Sequence, residues 1–280
     1  MMRPLLAAAG AFALAACAAV PVTTTETDAT DVAESAAPTP AAAPTASSGP
    51  TPRRAPSGGP VAQALAARDR PPEHVAQDEG RHSAQLLAFS GIEPGDRVLD
   101  LGAFQGYSSW LLSSLVGPEG AVVAQNPAPW TEFAPVLPAM AALTAARPNT
   151  THQIAPFDRL EGDSESFDAA YSALIYHDAA YMDVDRGVMN RRLYELLKPG
   201  GVYVVVDHHA APGSGLRDVE SLHRIDPAQV RREVESVGFR FDAESDVLVR
   251  PEDDLTLNVF DDAIRGRTSQ FAYRFVKPEM

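Results

Sequence analysis

From residue 97 onward the chain changes its hydrophobic period repeatedly, and this alternation constrains its fold more than any other feature. Val98-Leu99-Asp100-Leu101 reads as a short buried strand. An apolar helical stretch follows over residues 108–116, closed by Gly117-Pro118. Residues 121–125 read as a second strand and residues 132–146 as a helix interrupted by Pro135 and Pro138. A third strand falls at residues 151–155 and a fourth at residues 167–175. A helix over residues 184–197 is closed by Lys198-Pro199-Gly200-Gly201, and Val202-Tyr203-Val204-Val205-Val206 is the clearest strand of all. Upstream, residues 74–90 carry an apolar stripe (Val75, Leu86, Leu87, Phe89) with Gly91 as the stop, which predicts one helix. The last helix opens with Asp226 as N-cap, Pro227 in the first helical position and Gln229 completing a capping box, and it ends at Gly238. Two β-rich stretches then follow, residues 239–249 and 271–276. Strands alternating with helices predict an α/β domain: a doubly wound, mostly parallel sheet with helices on both faces.

The first strand runs into a glycine turn and a helix start, Asp100-Leu101-Gly102-Ala103-Phe104-Gln105-Gly106-Tyr107. Gly102 lets the turn bend tightly and the backbone approach a ligand. The helix beyond Gly106 begins with free N–H groups. An acid at the strand end is awkward for a dinucleotide pyrophosphate but suits a ligand with a positive group. S-adenosylmethionine carries such groups in its amine and its sulfonium.

These residues resemble a class I S-adenosylmethionine-dependent methyltransferase. The resemblance spans residues 73–277. It rests on Asp100-Leu101-Gly102 with Gly106 in the first loop, Phe167-Asp168 entering strand four, Leu197-Lys198-Pro199-Gly200-Gly201 before strand five, and the terminal β pair. It implies a seven-stranded Rossmann-like sheet ending in an antiparallel β-hairpin, with S-adenosylmethionine as cofactor. The cofactor residues it implies are Asp100, Gly102, Phe104, Gly106, Asn126 and Asp158. More narrowly, Gly213-Ser214-Gly215-Leu216-Arg217-Asp218 and His223-Arg224-Ile225-Asp226-Pro227 resemble a group of bacterial predicted methyltransferases of unknown substrate. The chain departs from the family at two places. Phe104 stands where the loop usually has its middle glycine. The second strand ends Gln125-Asn126, where an acid usually holds the ribose hydroxyls. Asn126 retains one acceptor and one donor function. Asn126-Pro127-Ala128-Pro129-Trp130 reads as a loop that sets Trp130 near the adenine.

Ligands of open α/β sheets bind at the carboxyl ends of the strands. There the sequence sets Tyr176-His177-Asp178 after strand four and Asp207-His208-His209 after strand five. Methyl transfer needs an in-line nucleophile and a base for its proton, and histidine titrates near neutrality. His177 and His208 are therefore candidate bases, with Asp178 or Asp207 to orient them. The same rim permits a metal alternative, because catechol-type O-methyltransferases hold a divalent ion at similar places. The ligands here would be Asp178, Asp207 and His208, a set that suits a transition metal better than magnesium. His223, His74, His82 and His152 read as structural. Arg217 and Arg224 read as surface pairs, with binding of an acidic substrate group as the alternative.

The amino terminus belongs to another regime. Arg3 precedes an apolar run over residues 5–16, the build of an export signal. The run ends Leu14-Ala15-Ala16-Cys17, which resembles a bacterial lipobox and makes Cys17 the lipidated residue. Ala18 after the cysteine resembles the sorting pattern for the outer membrane, facing the periplasm. Residues 18–60 contain no Phe, Trp or Tyr and consist mostly of Ala, Pro, Thr and Ser. Such a stretch lacks the side chains that offset ordering entropy and reads as a disordered tether. A coil of about 43 residues spans on the order of 35 Å. Residues 61–280 are then the folded domain.

Composition removes several functions. Asp and Glu number 37 against 23 Lys and Arg, a net charge of −14, which argues against nucleic acid as a partner. The single cysteine leaves no intramolecular disulfide and no multi-cysteine metal site. Membrane association is expected through the lipid anchor only. Three readings follow: a methyltransferase of a small molecule, an envelope binding protein on a methyltransferase fold, or a metal-dependent envelope enzyme. The first is preferred, although S-adenosylmethionine is made in the cytoplasm and the signal directs the domain out of it.

Overall fold

The computed structural model describes residues 59–133 and 135–279. The export signal, the lipobox Cys17 and the tether up to residue 58 lie outside the described residues. Among the described residues no helix is long and apolar enough to cross a membrane.

Three helices, α1 (Pro60–Leu65), α2 (Pro72–Val75) and α3 (Ser83–Ser90), precede the sheet. The single helix expected over residues 74–90 is broken. His82 adopts a left-handed conformation at φ 49° and starts α3, and Val75 turns outward instead of joining the apolar stripe. Gly91 stops α3 at φ 74°, as its place in the sequence predicts. Strand β1 (Arg97–Leu101) leads to α4 (Tyr107–Val116), and β2 (Ala121–Asn126) leads through a 3-10 turn (Ala128–Glu132) to α5 (Val136–Ala146). Strands β3 (Thr150–Ile154) and β4 (Phe167–Ala173) follow. Strand β4 stops at Ala173, short of the expected residue 175, and a short helix α6 (Tyr176–Tyr181) occupies what the sequence reads as the loop after it. Helix α7 (Arg186–Leu196) is capped by the Asp185 carboxylate, which accepts from the Val188 N–H. Strand β5 (Leu197–His208), α8 (Val219–Leu222), α9 (Pro227–Glu235), β6 (Arg240–Ser245) and β7 (Gln270–Val276) complete the domain.

The strands form one sheet in the order β3-β2-β1-β4-β5-β7-β6. The first five are parallel, and β7 runs antiparallel between β5 and β6. Both faces are covered, so strand residues alternate between two apolar layers. Leu99, Leu101, Tyr203 and Val205 pack with Met189 and Leu193 of α7 and Val230 of α9. Val98, Tyr171, Val204 and Val206 pack with Leu111 and Leu112 of α4 and Leu86 and Leu87 of α3. The Lys198-Pro199-Gly200-Gly201 turn is an irregularity at the start of β5, where the register with β4 shifts between Phe167 and Ala169. Asp168 explains the Phe167-Asp168 and Lys198 markers: its carboxylate accepts from Lys198 Nζ at 2.6 Å and from the Arg97 N–H at 2.9 Å. Asp226 caps α9 through the Ala228 N–H, but Gln229 reaches Glu233 at 2.7 Å, so the expected capping box does not form.

The segment from residue 246 to 269 folds over the carboxyl edge of the sheet and is held there by Arg224. This guanidinium is fully buried. It donates to the carbonyls of His209 and Leu257, both at 2.9 Å, and pairs with buried Asp253 at 2.9 Å. Asp253 in turn accepts from the Ser269 N–H at 2.6 Å. The surface role read for Arg224 is thus corrected, while an exposed Arg217 does pair with Asp218, itself largely buried, at 2.9 Å. Removing one partner of a buried pair strands the other charge. Arg224→Ala is expected to cost about 3–5 kcal/mol in chemical unfolding. Arg217→Ala is expected to cost under about 1 kcal/mol.

Candidate functional site

The first loop folds as its glycines require. Gly102, Phe104 and Gly106 all adopt positive φ, at 68°, 48° and 85°. A Cβ on Gly102 would fall 2.7 Å from Ile175 Cδ1, and one on Gly106 would fall 2.6 Å from Met140 Cε. Both bare Cα atoms therefore admit a neighbouring side chain. Asp100 is buried and accepts from the Ser109 hydroxyl and the Ser109 backbone at the start of α4. Burial outweighs these bonds and pushes its pKa up to about 7.

Asn126 is fully buried, and its amide holds the loop. Its Oδ1 accepts from the Phe104 N–H at 2.7 Å, and its Nδ2 donates to the Phe104 carbonyl at 3.1 Å and lies 3.2 Å from His152 Nε2. The Phe104 ring stands edge-on to Trp130 at 5.9 Å, and Trp130 stands edge-on to Phe157 at 5.6 Å. Three aromatic rings thus cover the edge above β1 and β2. Asp158 lies beside them, half-buried, 3.7 Å from Arg159.

The second group lies at the ends of β4 and β5. Asp207 is fully buried, and its carboxylate accepts three hydrogen bonds. The His177 N–H donates at 2.8 Å, His177 Nδ1 at 2.6 Å and the His208 N–H at 2.7 Å. Burial raises the Asp207 pKa, but His177 outweighs it and the carboxyl is held below its ordinary value. Burial likewise lowers His177; the Asp207 charge and hydrogen bond, then Asp178, outweigh it and raise the ring above its ordinary value. The other nitrogen, Nε2, lies 3.3 Å from Asp178 Oδ1. Asp178 and Asp207 therefore sit on opposite sides of one imidazole. The metal set Asp178, Asp207 and His208 does not assemble, because both Asp207 oxygens are consumed by His177 and His208. His208 turns away and shares a 3.0 Å hydrogen bond between Nδ1 and Thr268 Oγ1. Burial pushes the His208 pKa down to about 3, so the ring is neutral at physiological pH.

A cavity of about 350 Å³ opens beside His208. Its walls come from α3, the first turns of α4, the ends of β4 and β5, and residues 259–270. This volume lies in the range of small-molecule sites. Most of the wall is apolar, including Leu86, Leu111 and Val206, yet two arginines face it. Arg81 lies over the Tyr107 ring at 4.3 Å, and no carboxylate pairs with it among the described residues. Arg265 donates to the Phe260 carbonyl at 2.9 Å and is likewise without a carboxylate partner among them. Sequence reading missed Arg81 because nothing local marks it; its role comes from α3 folding back over α4. It also read His223 as structural, although His223 lies in the stretch that carries the narrower family resemblance.

No family model matches the sequence, and no curated protein matches it. Solved structures share its fold. An S-adenosylmethionine-dependent methyltransferase from Aquifex aeolicus has 15% identity and a TM-score of 0.52, over 76% of this chain and 96% of that one. An arsenic(III) S-adenosylmethionine methyltransferase from Chlamydomonas reinhardtii has 18% identity and a TM-score of 0.51, over 79% and 74%. The [4+2]-cyclase SpnF has 14% identity and a TM-score of 0.52, over 79% and 92%.

The raised Asp100 pKa predicts a pH dependence. Unfolded, the carboxyl titrates near its ordinary value of 3.8; folded, it titrates near 7. The folded state holds the proton more tightly, so this contribution is full at low pH and is lost as pH rises through about 7. Relative to wild type, Asp100→Asn is expected to gain about 2–3 kcal/mol of unfolding free energy between pH 5 and pH 8. A difference that stays flat across this range would show that Asp100 ionises without penalty.

Proposed function

We propose that this chain, which has the class I S-adenosylmethionine-dependent methyltransferase fold, is a methyltransferase of a small-molecule acceptor. The observation that carries the reading is the cavity at the carboxyl edge of the sheet. It joins the helix that follows the glycine loop to the rim residue His208. The cofactor would supply the methyl group.

The residues present fit the amino-acid half of S-adenosylmethionine. Arg81, without a carboxylate partner among the described residues, offers its guanidinium to an α-carboxylate, and Tyr107 and Ser108 bring the first turn of α4 to the same wall. The ribose half meets a surface closed by the Phe104–Asn126 pairing and the Trp130 ring. Of the cofactor residues expected from the sequence, Phe104 and Asp158 are accessible, while Asp100, Gly102, Gly106 and Asn126 are buried. His208, neutral and tied to Thr268, presents an imidazole to an acceptor in the cavity. Arg265 adds a second positive charge to that wall and favours an acceptor with an anionic group.

The closed ribose side favours one further reading, an envelope binding protein that keeps this fold for another ligand. Titration of the full chain with S-adenosylhomocysteine separates the two. Micromolar binding is expected, with Arg81→Ala weakening it about tenfold to hundredfold. Phe104→Gly should tighten it by removing the ring over β1. Absence of binding in both wild type and Phe104→Gly would remove the methyltransferase reading and leave the binding protein.

We also propose that the domain is exported and tethered through lipid on Cys17, facing the periplasm from the outer membrane. The support is the sequence Leu14-Ala15-Ala16-Cys17 after an apolar run. Cys17→Ser is expected to abolish incorporation of labelled palmitate and to release the domain from the membrane fraction. Unchanged labelling would exclude Cys17 as the anchor.

A further inference from the structure

His223, distant in the chain, converges with the adjacent His177 and Asp178 beside the cavity. His177 stands at the start of α6, Asp178 follows it, and His223 ends α8. His177 Nε2 lies 3.3 Å from Asp178 Oδ1, and His223 Nδ1 lies 3.8 Å from the same oxygen. One ligand atom from each of the three residues lies within 4.8 Å of the other two. A transition-metal ion about 2.0–2.2 Å from each ligand would set neighbouring ligand atoms roughly 3.0–3.5 Å apart. The 3.3 Å between His177 Nε2 and Asp178 Oδ1 meets that requirement, and the 3.8 Å between His223 Nδ1 and the same oxygen meets it after a small side-chain movement.

Two further observations point to a ligand here. The first is the partner of His177. Asp207 accepts from Nδ1 at 2.6 Å, which fixes the proton on Nδ1 and aims the Nε2 lone pair at Asp178. A carboxylate behind an imidazole in this way is the usual support of a metal-bound histidine. The second is His223 Nδ1, a buried nitrogen with no hydrogen-bond partner among the described residues. A proton between His177 and Asp178 would satisfy those two groups and leave His223 Nδ1 orphaned. A cation within reach of all three satisfies it as well. His223 adopts φ 53°, a left-handed conformation costly for a side chain of its size, and this conformation sets its ring against Tyr181 and Phe260.

We propose that His177 Nε2, Asp178 Oδ1 and His223 Nδ1 bind one divalent transition-metal ion at the carboxyl edge of the sheet. Two imidazoles and one carboxylate favour a borderline ion such as zinc, cobalt or ferrous iron over magnesium or calcium. Three protein ligands leave coordination positions for water or an oxygen ligand. The site adjoins the cavity, since Phe260 lines the cavity wall and stands 5.0 Å from the His223 ring. The inference goes beyond the methyltransferase reading and does not depend on it.

The test reads metal rather than methyl transfer. The full chain, stripped with a chelator, is titrated with Co²⁺ under visible absorption and with Zn²⁺ by calorimetry. One Co²⁺ per chain with ligand-field bands is expected, displaced by one Zn²⁺ and not by millimolar Mg²⁺. His223→Asn, which tolerates the left-handed backbone, and Asp178→Asn should each weaken Zn²⁺ binding by more than about a hundredfold. Asp207→Asn, which alters the support of His177 together with the bonds to the His177 and His208 N–H groups, should weaken it about tenfold to hundredfold. Circular dichroism of the stripped variants checks that each is folded, and Asp178→Asn decides the matter if His223→Asn is not. Absence of stoichiometric Co²⁺ binding, unchanged Zn²⁺ affinity in a folded variant, or displacement by Mg²⁺ would each overturn the proposal.

Discussion

The carboxylate of Asp207 holds the carboxyl edge of this sheet together. It is fully buried at the end of β5, where an ionised oxygen without partners would be costly. It avoids that cost by accepting from the His177 backbone, the His177 ring and the His208 backbone. These bonds fasten the first turn of α6 to β5 and set the direction of both histidines. His177 is turned toward Asp178 and His223. His208 is turned toward Thr268 and the cavity. One buried charge thereby divides the rim into two chemically distinct sides.

A similar division separates the two halves of the carboxyl edge. Above β1 and β2 the hydrogen-bonding groups are spent on the protein itself. Asn126 holds Phe104, Asp100 holds the start of α4, and the aromatic rings of Phe104, Trp130 and Phe157 close the surface. Above β4 and β5 the groups remain open, with Arg81, Arg265 and His208 lining a cavity under residues 259–270. The buried Arg224–Asp253 pair keeps that covering segment in place. Fold alone does not choose a reaction, and a cyclase shares this architecture with methyltransferases. The chemistry is read from the open half.

Local sequence carried a great deal of the fold. The valine run of β5, the glycine turn after β1 and the β-rich stretch over residues 271–276 reappear as strand, turn and strand, because residue type and glycine placement act over a few residues. Where local signals compete with packing, the reading departed from the structure. The stripe over residues 74–90 suits one helix, but the left-handed His82 breaks it so that α3 can pack on α4. Tyr176-His177-Asp178 reads as a loop after strand four, but Asp207 accepts from the His177 N–H and a short helix forms. Gln229 sits at capping-box spacing and instead reaches Glu233, one turn ahead, which also binds Arg186 and Tyr176.

The sequence by itself determined the alternation of strands and helices. It also set out the acids and histidines that end β1, β4 and β5. Those properties depend on residue type and spacing, and parallel α/β topology then brings the strand ends to one edge. Only the tertiary structure decided which of those polar atoms are free. Asn126 and Asp207 are consumed by neighbours distant in the chain, and His223 is brought to Asp178 from another helix. Arg81 is left in a cavity wall without a carboxylate partner among the described residues. The physical reason is that a hydrogen bond saturates its donor and acceptor within about 3 Å. Availability is therefore set by which groups meet in space.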